Sequence, residues 1–536
     1  MNLFDFIKNK IFKRNGGLTK SSNPSDPRLT FITDDEALRI EKIREFKVWY
    51  YGGASEKLNY YTNQMVYGWA VNPIYNRNNL NLFWGQSVKS TNFKRVSSDI
   101  AKAIIDTISN VVGKPTIKCL DPRIEKIIKD NKLIYRLIQE ARPMTLTEGD
   151  GCWKINFNKA FSNIPLVEYY GSEDWEPIYK SQMLMGLIFK SYYKDKKEQD
   201  YVLIESRTLE PDGCLIEYNL YKIDKNSDLQ KVDYSVIPEL ENLKDNDRFK
   251  INGVRKLFAV PNIYFYNPIY KNRGKSLLDG KITLLDTLDE ILSIASQTNR
   301  VSVPVEYFDT SVLERDKQGR PIIPEKYNRN YVAVNGPTDG DGKSKGQGIT
   351  TTQPDVYFEK YSQLAQDTLN YILIGNVSPS TLGIDIAKKD NADAQREKEK
   401  QTIFTRNSII DPETDSLKEL LNEALLVQDY MDTGVIVDKD YDISITYDEF
   451  ANPSFESELE ALGPAWSQGQ ISTDQYVRLL WAGKLSDEEM LKEKQYLEEN
   501  KQKDDIDMAG LLNGEGNSEG LPSEGRSEGT TPETEE

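Results

Sequence analysis

Up to Arg142 the apolar residues recur every three or four positions; from Cys152 onward they recur every second one. That single change of period confines the chain to folds that mix helices with strands. Leu38, Ile40, Ile43, Phe46, Val48 and Trp49 predict a helix over 35–61, with Asp34, Asp35 and Glu36 placing acid at its first turn. Ile100, Ile104, Ile105 and Ile108 predict a second over 96–112, stopped by Gly113, Lys114 and Pro115. Ile124, Ile127, Ile128, Leu133, Ile134 and Leu137 predict a third over 123–142. The segments 152–158, 187–194, 200–209 and 214–223 then alternate like strands, and the last two flank Glu210-Pro211-Asp212-Gly213, a turn sequence that predicts a hairpin. The expectation is an antiparallel sheet with one solvated face beside helices, hence α+β.

After Asn267-Pro268 helical spacing returns. Leu278, Ile282, Leu285, Leu288, Leu292 and Ala295 form one stripe, and Ser276 with Asp279 reads as a capping box opening a helix over 276–299. At 1.5 Å per residue that rod is about 36 Å long. Residues 301–353 read as short strands around the Gly-rich loop 336–348, and a second helix of about 28 Å is predicted over 356–374. A polar, turn-prone interval, 376–393, leads to a long charged helix from about Ala394 towards Tyr430, with an interruption expected near Asp411-Pro412. Residues 441–447 read as a strand. Three short helices follow within 454–500, two of them opened by Ser472 with Gln475 and by Ser486 with Glu489. The last stretch, 504–536, carries ten acids and one base and predicts disorder.

Composition limits the chemistry. Histidine is absent from the 536 residues, which removes Ser-His-Asp and Cys-His catalysis and imidazole metal ligands. Cys119, Cys152 and Cys214 are too few and too scattered for a disulfide framework or a zinc cluster. Net charge is −17, of which the tail holds −9, so a tight, sequence-independent grip on DNA by a basic surface is not expected. The first sixteen residues place Leu3, Phe4, Ile7 and Ile11 on one helical face beside Lys8, Lys10, Lys13 and Arg14. This predicts an arm that docks on a neighbouring chain, with a membrane surface as the alternative.

The motifs that invite catalytic or metal readings fail on spacing. Gly-Lys-Ser occurs at 274–276 and 342–344, but Ile269 and Pro337 stand where a phosphate-binding loop needs its first glycine. Asp438, Asp440, Asp442 and Glu449 match positions of a calcium loop, yet Ile443 replaces the glycine of its sharp turn. Glu148 and Glu205 would serve acid–base chemistry only if brought together; otherwise they read as exposed strand charges. No catalytic, cofactor or metal residue is assigned, and the chain is not expected to be an enzyme.

What remains is the order of elements: two long helices bracketing a small β-rich insert, then a polar loop. With it go NLFWGQSVKSTNFKRVSSDIAKAIIDTISNVVGKP (81–115), the 200–223 hairpin, NRGKSLLDGKITLLDTLDEIL (272–292), GNVSPSTLGID (375–385) and the end stretch 467–500. In these segments and their order, over about 35–500, the chain resembles the portal proteins of long-tailed bacteriophages that infect Gram-positive hosts.

The resemblance implies a homo-oligomeric ring, usually of twelve copies, at one capsid vertex, through which double-stranded DNA is packaged and ejected. It implies an N-terminal arm (1–34), a wing (35–270 and 394–447), stem helices (271–300 and 354–375), a β-rich clip (301–353), a tunnel loop (376–393), a helical crown (448–503) and an acidic tail (504–536). Its implied partners are the terminase large subunit, a head–tail adaptor, and the major capsid and scaffolding proteins; it implies no cofactor and no membrane. Asp279, Asp286, Asp289 and Glu290 would then help keep stem surfaces unattractive to DNA, with some of them facing neighbouring subunits instead. Lys388 and Lys389 would touch phosphate in passing, and Gly336, Lys343, Lys345 and Gly348 would meet the clip's partners. A capsid or baseplate component is the alternative within the virion, and a hydrolase working with carboxylates alone is the alternative outside it.

Overall fold

The computed structural model describes residues 34–62, 66, 82–86, 93–156, 162–223, 229–244, 246–302, 305–309, 316–320, 322, 330–334, 350–352, 358–384, 392–447, 462–481 and 489–499. The chain divides into two units, residues 1–450 and 451–536. The architecture is mixed helix and antiparallel sheet.

The first predicted helix is two: α1 (Asp34–Tyr51) stops at Gly52-Gly53, and α2 (Ala54–Tyr61) starts with the Gly53 N–H donating to Glu56 at 3.0 Å. Helix α3 (Ile100–Val112) begins four residues later than its pattern suggested, because the backbone N–H groups of Val96 and Ser98 are taken by side chains of a later helix. Strand β1 (Pro115–Cys119) follows. The third predicted helix breaks at Lys132, whose φ is 50°, into α4 (Arg123–Asp130) and α5 (Leu133–Arg136). Helix α5 passes through one π turn, Leu137–Ala141, into α6 (Arg142–Glu148).

The sheets are built from β2 (Asp150–Asn156), β3 (Leu166–Gly171), β4 (Trp175–Lys180), β5 (Met183–Lys194), β6 (Asp200–Glu210), β7 (Gly213–Ile223), β8 (Leu229–Lys231), β9 (Arg248–Asn252) and β10 (Ala259–Ile263). One has the order β10-β2-β3; the larger runs β4-β5-β6-β7-β8, with β9 also on β7, and all these pairs are antiparallel. The β6–β7 hairpin closes where its turn sequence predicted, with Glu210 opposite Gly213. The solvated face is not found on the two central strands. Strand β2 is buried over 150–155 and β6 over 201–207, so the alternating charges of these strands lie inside the protein.

Helix α7 (Ile282–Val301) starts six residues after Ser276. Instead of capping a helix there, the Ser276 hydroxyl accepts from Leu278 N at 3.0 Å within a turn, and Gly280 at φ +77° ends that turn. The insert is a three-stranded mixed sheet: β11 (Val305–Asp309) lies between β12 (Asn330–Val334), parallel to it, and β13 (Thr350–Thr352), antiparallel. Helix α8 (Phe358–Leu373) leads through a short 3-10 turn, Pro379–Leu382, to α9 (Ala392–Thr433). The expected interruption at Pro412 is absent. Helix α9 runs 42 residues without a break, about 63 Å, because Ile409, Glu413 and Leu417 around the proline are fully buried and fix the path. Strand β14 (Ile443–Tyr447) pairs with β1 in a two-stranded ribbon.

The second unit contains α10 (Thr473–Trp481) between helical stretches 462–467 and 489–499. Tyr476, Val477 and Leu480 form its core against Leu462, Trp466 and Ile471. The Ser472 cap is present, accepting from Gln475 N at 3.2 Å. Ser486, the arm 1–33 and the tail 504–536 lie outside the described residues.

Candidate functional site

Helices α7 and α8 are the elements whose order singled out this part of the chain, and their packing is set by their apolar stripes. Leu285 and Leu288 share one buried cluster with Ile372 and Leu373, and Leu292 and Leu369 pack against it. Lys281, just before α7, donates to the carbonyls of Tyr371 at 3.2 Å and Ile374 at 2.8 Å. A cation in that place satisfies carbonyls that a helix C-terminus leaves open and meets the negative end of its dipole. The start of α7 therefore sits at the end of α8, the pair runs antiparallel, and the β11–β13 sheet joins the far ends. Beside this contact lies a cleft of ≈ 440 Å³ lined by Phe265, Leu277, Lys281, Ile374, Phe404 and Ser408 among others.

The four acids expected to face a DNA path do not share a surface. Asp286 and Asp289, one turn apart, are buried at 4% and 0% exposure and point into the body of the protein, which corrects their assignment to a stem surface. Asp286 accepts from the backbone N–H groups of Phe83 at 2.7 Å and Trp84 at 3.2 Å. Burial pushes its pKa up to about 6, against the pull of those two donors. Asp289 takes the Lys57 ammonium at 2.9 Å, the Trp84 indole N–H at 3.1 Å and Ser98 N at 2.8 Å. Lys57 itself lies 3.9 Å above the Trp49 ring. The two carboxylates thus pin segments 82–86 and 93–99 onto α7. Asp279, partly exposed, pairs with Lys42 at 3.6 Å, and Glu290 is half-buried. The signal for this was present. Asp286, Asp289 and Ser293 follow a three- and four-residue step that flanks the apolar stripe, so they form a second inward-facing row.

A second polar cluster fixes the chain just before α7. Arg273 donates to the carbonyls of Ser172 and Trp175, each at 3.0 Å, and pairs with Asp150 and Glu36, each at 3.4 Å. Arg39 of α1 bonds Glu36 and Ser172. Burial alone would raise the Glu36 pKa, but Arg39 and Arg273 hold it far below the usual carboxylate range. Here two stretches of main chain also cross: a methyl group at Gly149, whose φ is +100°, would lie 2.7 Å from the Gly274 carbonyl oxygen. Further along α9, Glu413 receives Arg142 through two bonds of 2.6 and 2.9 Å, and the hydroxyls of Tyr264 and Tyr447 at 2.6 and 2.7 Å. That one carboxylate joins α6, α9 and β14.

Glu148 and Glu205 are not exposed strand charges. Glu148 is buried and pairs with Lys47 at 3.0 Å; burial outweighs that cation and pushes its pKa up to about 7. Glu205 sits between Lys154 at 3.0 Å and Arg207 at 2.7 Å, and although burial opposes it, those cations lower its pKa to about 2. Each glutamate has its own cation, so the two do not form an acid–base pair. Asp440, from the calcium-like spacing, accepts from Asn422 at 3.0 Å, and Ile443 stands in β14. Among the described residues no group of three or more acids and cysteines is arranged to hold a metal ion, and no helix is long and apolar enough to cross a membrane. Lys388, Lys389, Gly336, Lys343, Lys345, Gly348 and Glu449 lie outside the described residues.

No family model matches the chain, and no curated protein matches it. Among solved structures, a chain of the virion of a native gene transfer agent particle gives a TM-score of 0.35 at 11% sequence identity, covering 71% of this chain and 88% of that one. A chain of the neck of a native gene transfer agent particle, computed with C12 symmetry, gives 0.33 at 11% identity, covering 71% and 87%. Matches this loose assign no family.

Proposed function

We propose that the chain is a structural component of a phage virion, and within it the portal subunit. Identical copies close head to tail into a ring around the path of double-stranded DNA. The observation that carries this reading is the antiparallel α7–α8 pair with a small mixed sheet joined across its far ends. The residue-level resemblance along 35–500 supports it. In this reading α7 and α8 are the stem, the β11–β13 sheet is the clip, and the second unit belongs to the crown.

Physical chemistry suits the role. Double-stranded DNA carries one charge per about 1.7 Å, so a strongly basic lining would hold it by counterion release, while a channel must let its occupant leave. With the tail set aside the chain carries only −8, neither a strong attractor nor a strong barrier. The protein catalyses nothing in this proposal. It offers the terminase large subunit, a head–tail adaptor, and the capsid and scaffolding proteins a shared platform, and Lys388 and Lys389 give brief phosphate contacts.

Negative-stain images and native mass measurements of the full-length protein test the proposal. Rings with an axial hole are expected. Monomers at every concentration, with or without capsid and scaffolding proteins, overturn it. Reversing the charge of Lys388 and Lys389 tests their role separately: packaging and retention of DNA should change, and unchanged yields remove the assignment.

A further inference from the structure

Among the described residues β10 is an edge strand, paired with β2 on one side only, and the long helix α9 packs against it, Leu420, Leu421 and Ala424 sharing one apolar cluster with Ala259 and Val260. An uncovered edge presents N–H groups that need acceptors. Glu423 of α9 lies beside this strand, near enough for the Ala259 N–H to draw on its carboxyl group. Glu423 is 2% exposed, and its Oε2 has no hydrogen-bond partner.

Every charged group around it is committed elsewhere. Glu419, one turn away on α9, pairs with Lys256 at 3.5 Å. Arg207 of β6 is held by Glu205 at 2.7 Å and by the Ile155 carbonyl at 3.1 Å. From β2 and β7 come Cys152 and Cys214, both buried thiols. Among the described residues no cation forms an ion pair with Glu423. A carboxylate in such a place pays the full cost of leaving water, and the neutral acid does not.

We propose that Glu423 is carried as the neutral acid and makes the packing of α9 against β10 pH-sensitive, tight when the carboxyl is protonated and loosened when it ionises. Burial, followed by the repulsion of Glu419, pushes its pKa up from 4.5 to about 8, against the weaker pull of Lys256, Arg207 and the Ala259 N–H. The direction follows from linkage. Between pH 4.5 and about 8 the unfolded chain has released this proton and the folded chain has not. The contribution of Glu423 to stability therefore falls as pH rises through that window and is level above it.

The test uses the full-length chain and Glu423→Gln, which keeps the shape and cannot ionise. Unfolding of the two proteins is followed from pH 5 to 9. The variant should gain on the wild type steadily up to about pH 8, by on the order of a thousandfold in the unfolding equilibrium, and then hold a constant lead. Because Glu148 and Asp286 are also buried acids with raised pKa, the infrared readout is the pH 7 spectrum of the wild type minus that of Glu423→Gln, which should show the carbonyl stretch of one buried protonated carboxyl that fades as pH approaches 9. Parallel stability profiles for the two proteins, or a difference spectrum lacking that band, overturn the proposal. Glu423→Met, of similar length and unable to ionise, serves in the same two measurements if Glu423→Gln does not fold.

Discussion

Asp289→Asn separates an inward-facing anchor from a surface charge. In the wild type the Asp289 carboxylate and the Lys57 ammonium are 2.9 Å apart, with side chains 0% and 1% exposed. Replacing the acid with an amide keeps the volume but only one acceptor oxygen, which serves either Ser98 or Trp84, since these bond different oxygens, and it leaves Lys57 charged and buried. Burial already lowers the Lys57 pKa. Breaking a buried pair from one side costs about 3–5 kcal/mol, whereas a substitution on an open surface stays within about 0.5 kcal/mol. Urea unfolding followed by tryptophan fluorescence is the assay, since Lys57 lies 3.9 Å from the Trp49 ring centre and 5.6 Å from that of Trp84. Lys57→Met should restore much of the loss when added to Asp289→Asn, because an apolar chain then replaces the stranded charge. A loss below about 1 kcal/mol, or a double-mutant cycle whose two effects simply add, would refute the reasoning.

Glu413→Ala should destabilise the chain by about 3–5 kcal/mol, read by the same unfolding assay, since it strands Arg142 and removes the acceptor of two tyrosine hydroxyls. Pro412→Ala should stabilise it by up to about 3 kcal/mol, because the proline sits inside a continuous helix; a loss of stability would mean that α9 needs the proline's shape. In native protein a thiol reagent should modify Cys119 and spare Cys152 and Cys214 until urea unfolds the chain; early reaction of either buried thiol would contradict the packing.

The helices were legible where their apolar spacing was long and regular, as in α3 and in the stripe Leu285, Leu288, Leu292 of α7. The β6–β7 hairpin was legible because Pro211 and Asp212-Gly213 specify its turn. Burial of charge was not. Lys154, Glu205 and Arg207 alternate with apolar neighbours in a way that looks like a wet face, and only the tertiary fold shows that they neutralise one another inside. Asp286 and Asp289 misled for the same reason: the groups that hold them, Phe83, Trp84 and Lys57, lie some 200 residues earlier in the chain. Strand β1 was missed because its five residues pair with β14, more than 300 positions away.

Where Gly149 and Gly274 pass each other, backbone meets backbone with no side chain between to bend or slide. Such a joint has no slack. A side chain of any size at either position would wedge the root of β2 away from the strap that leads into α7, so this crossing admits glycine alone on both sides.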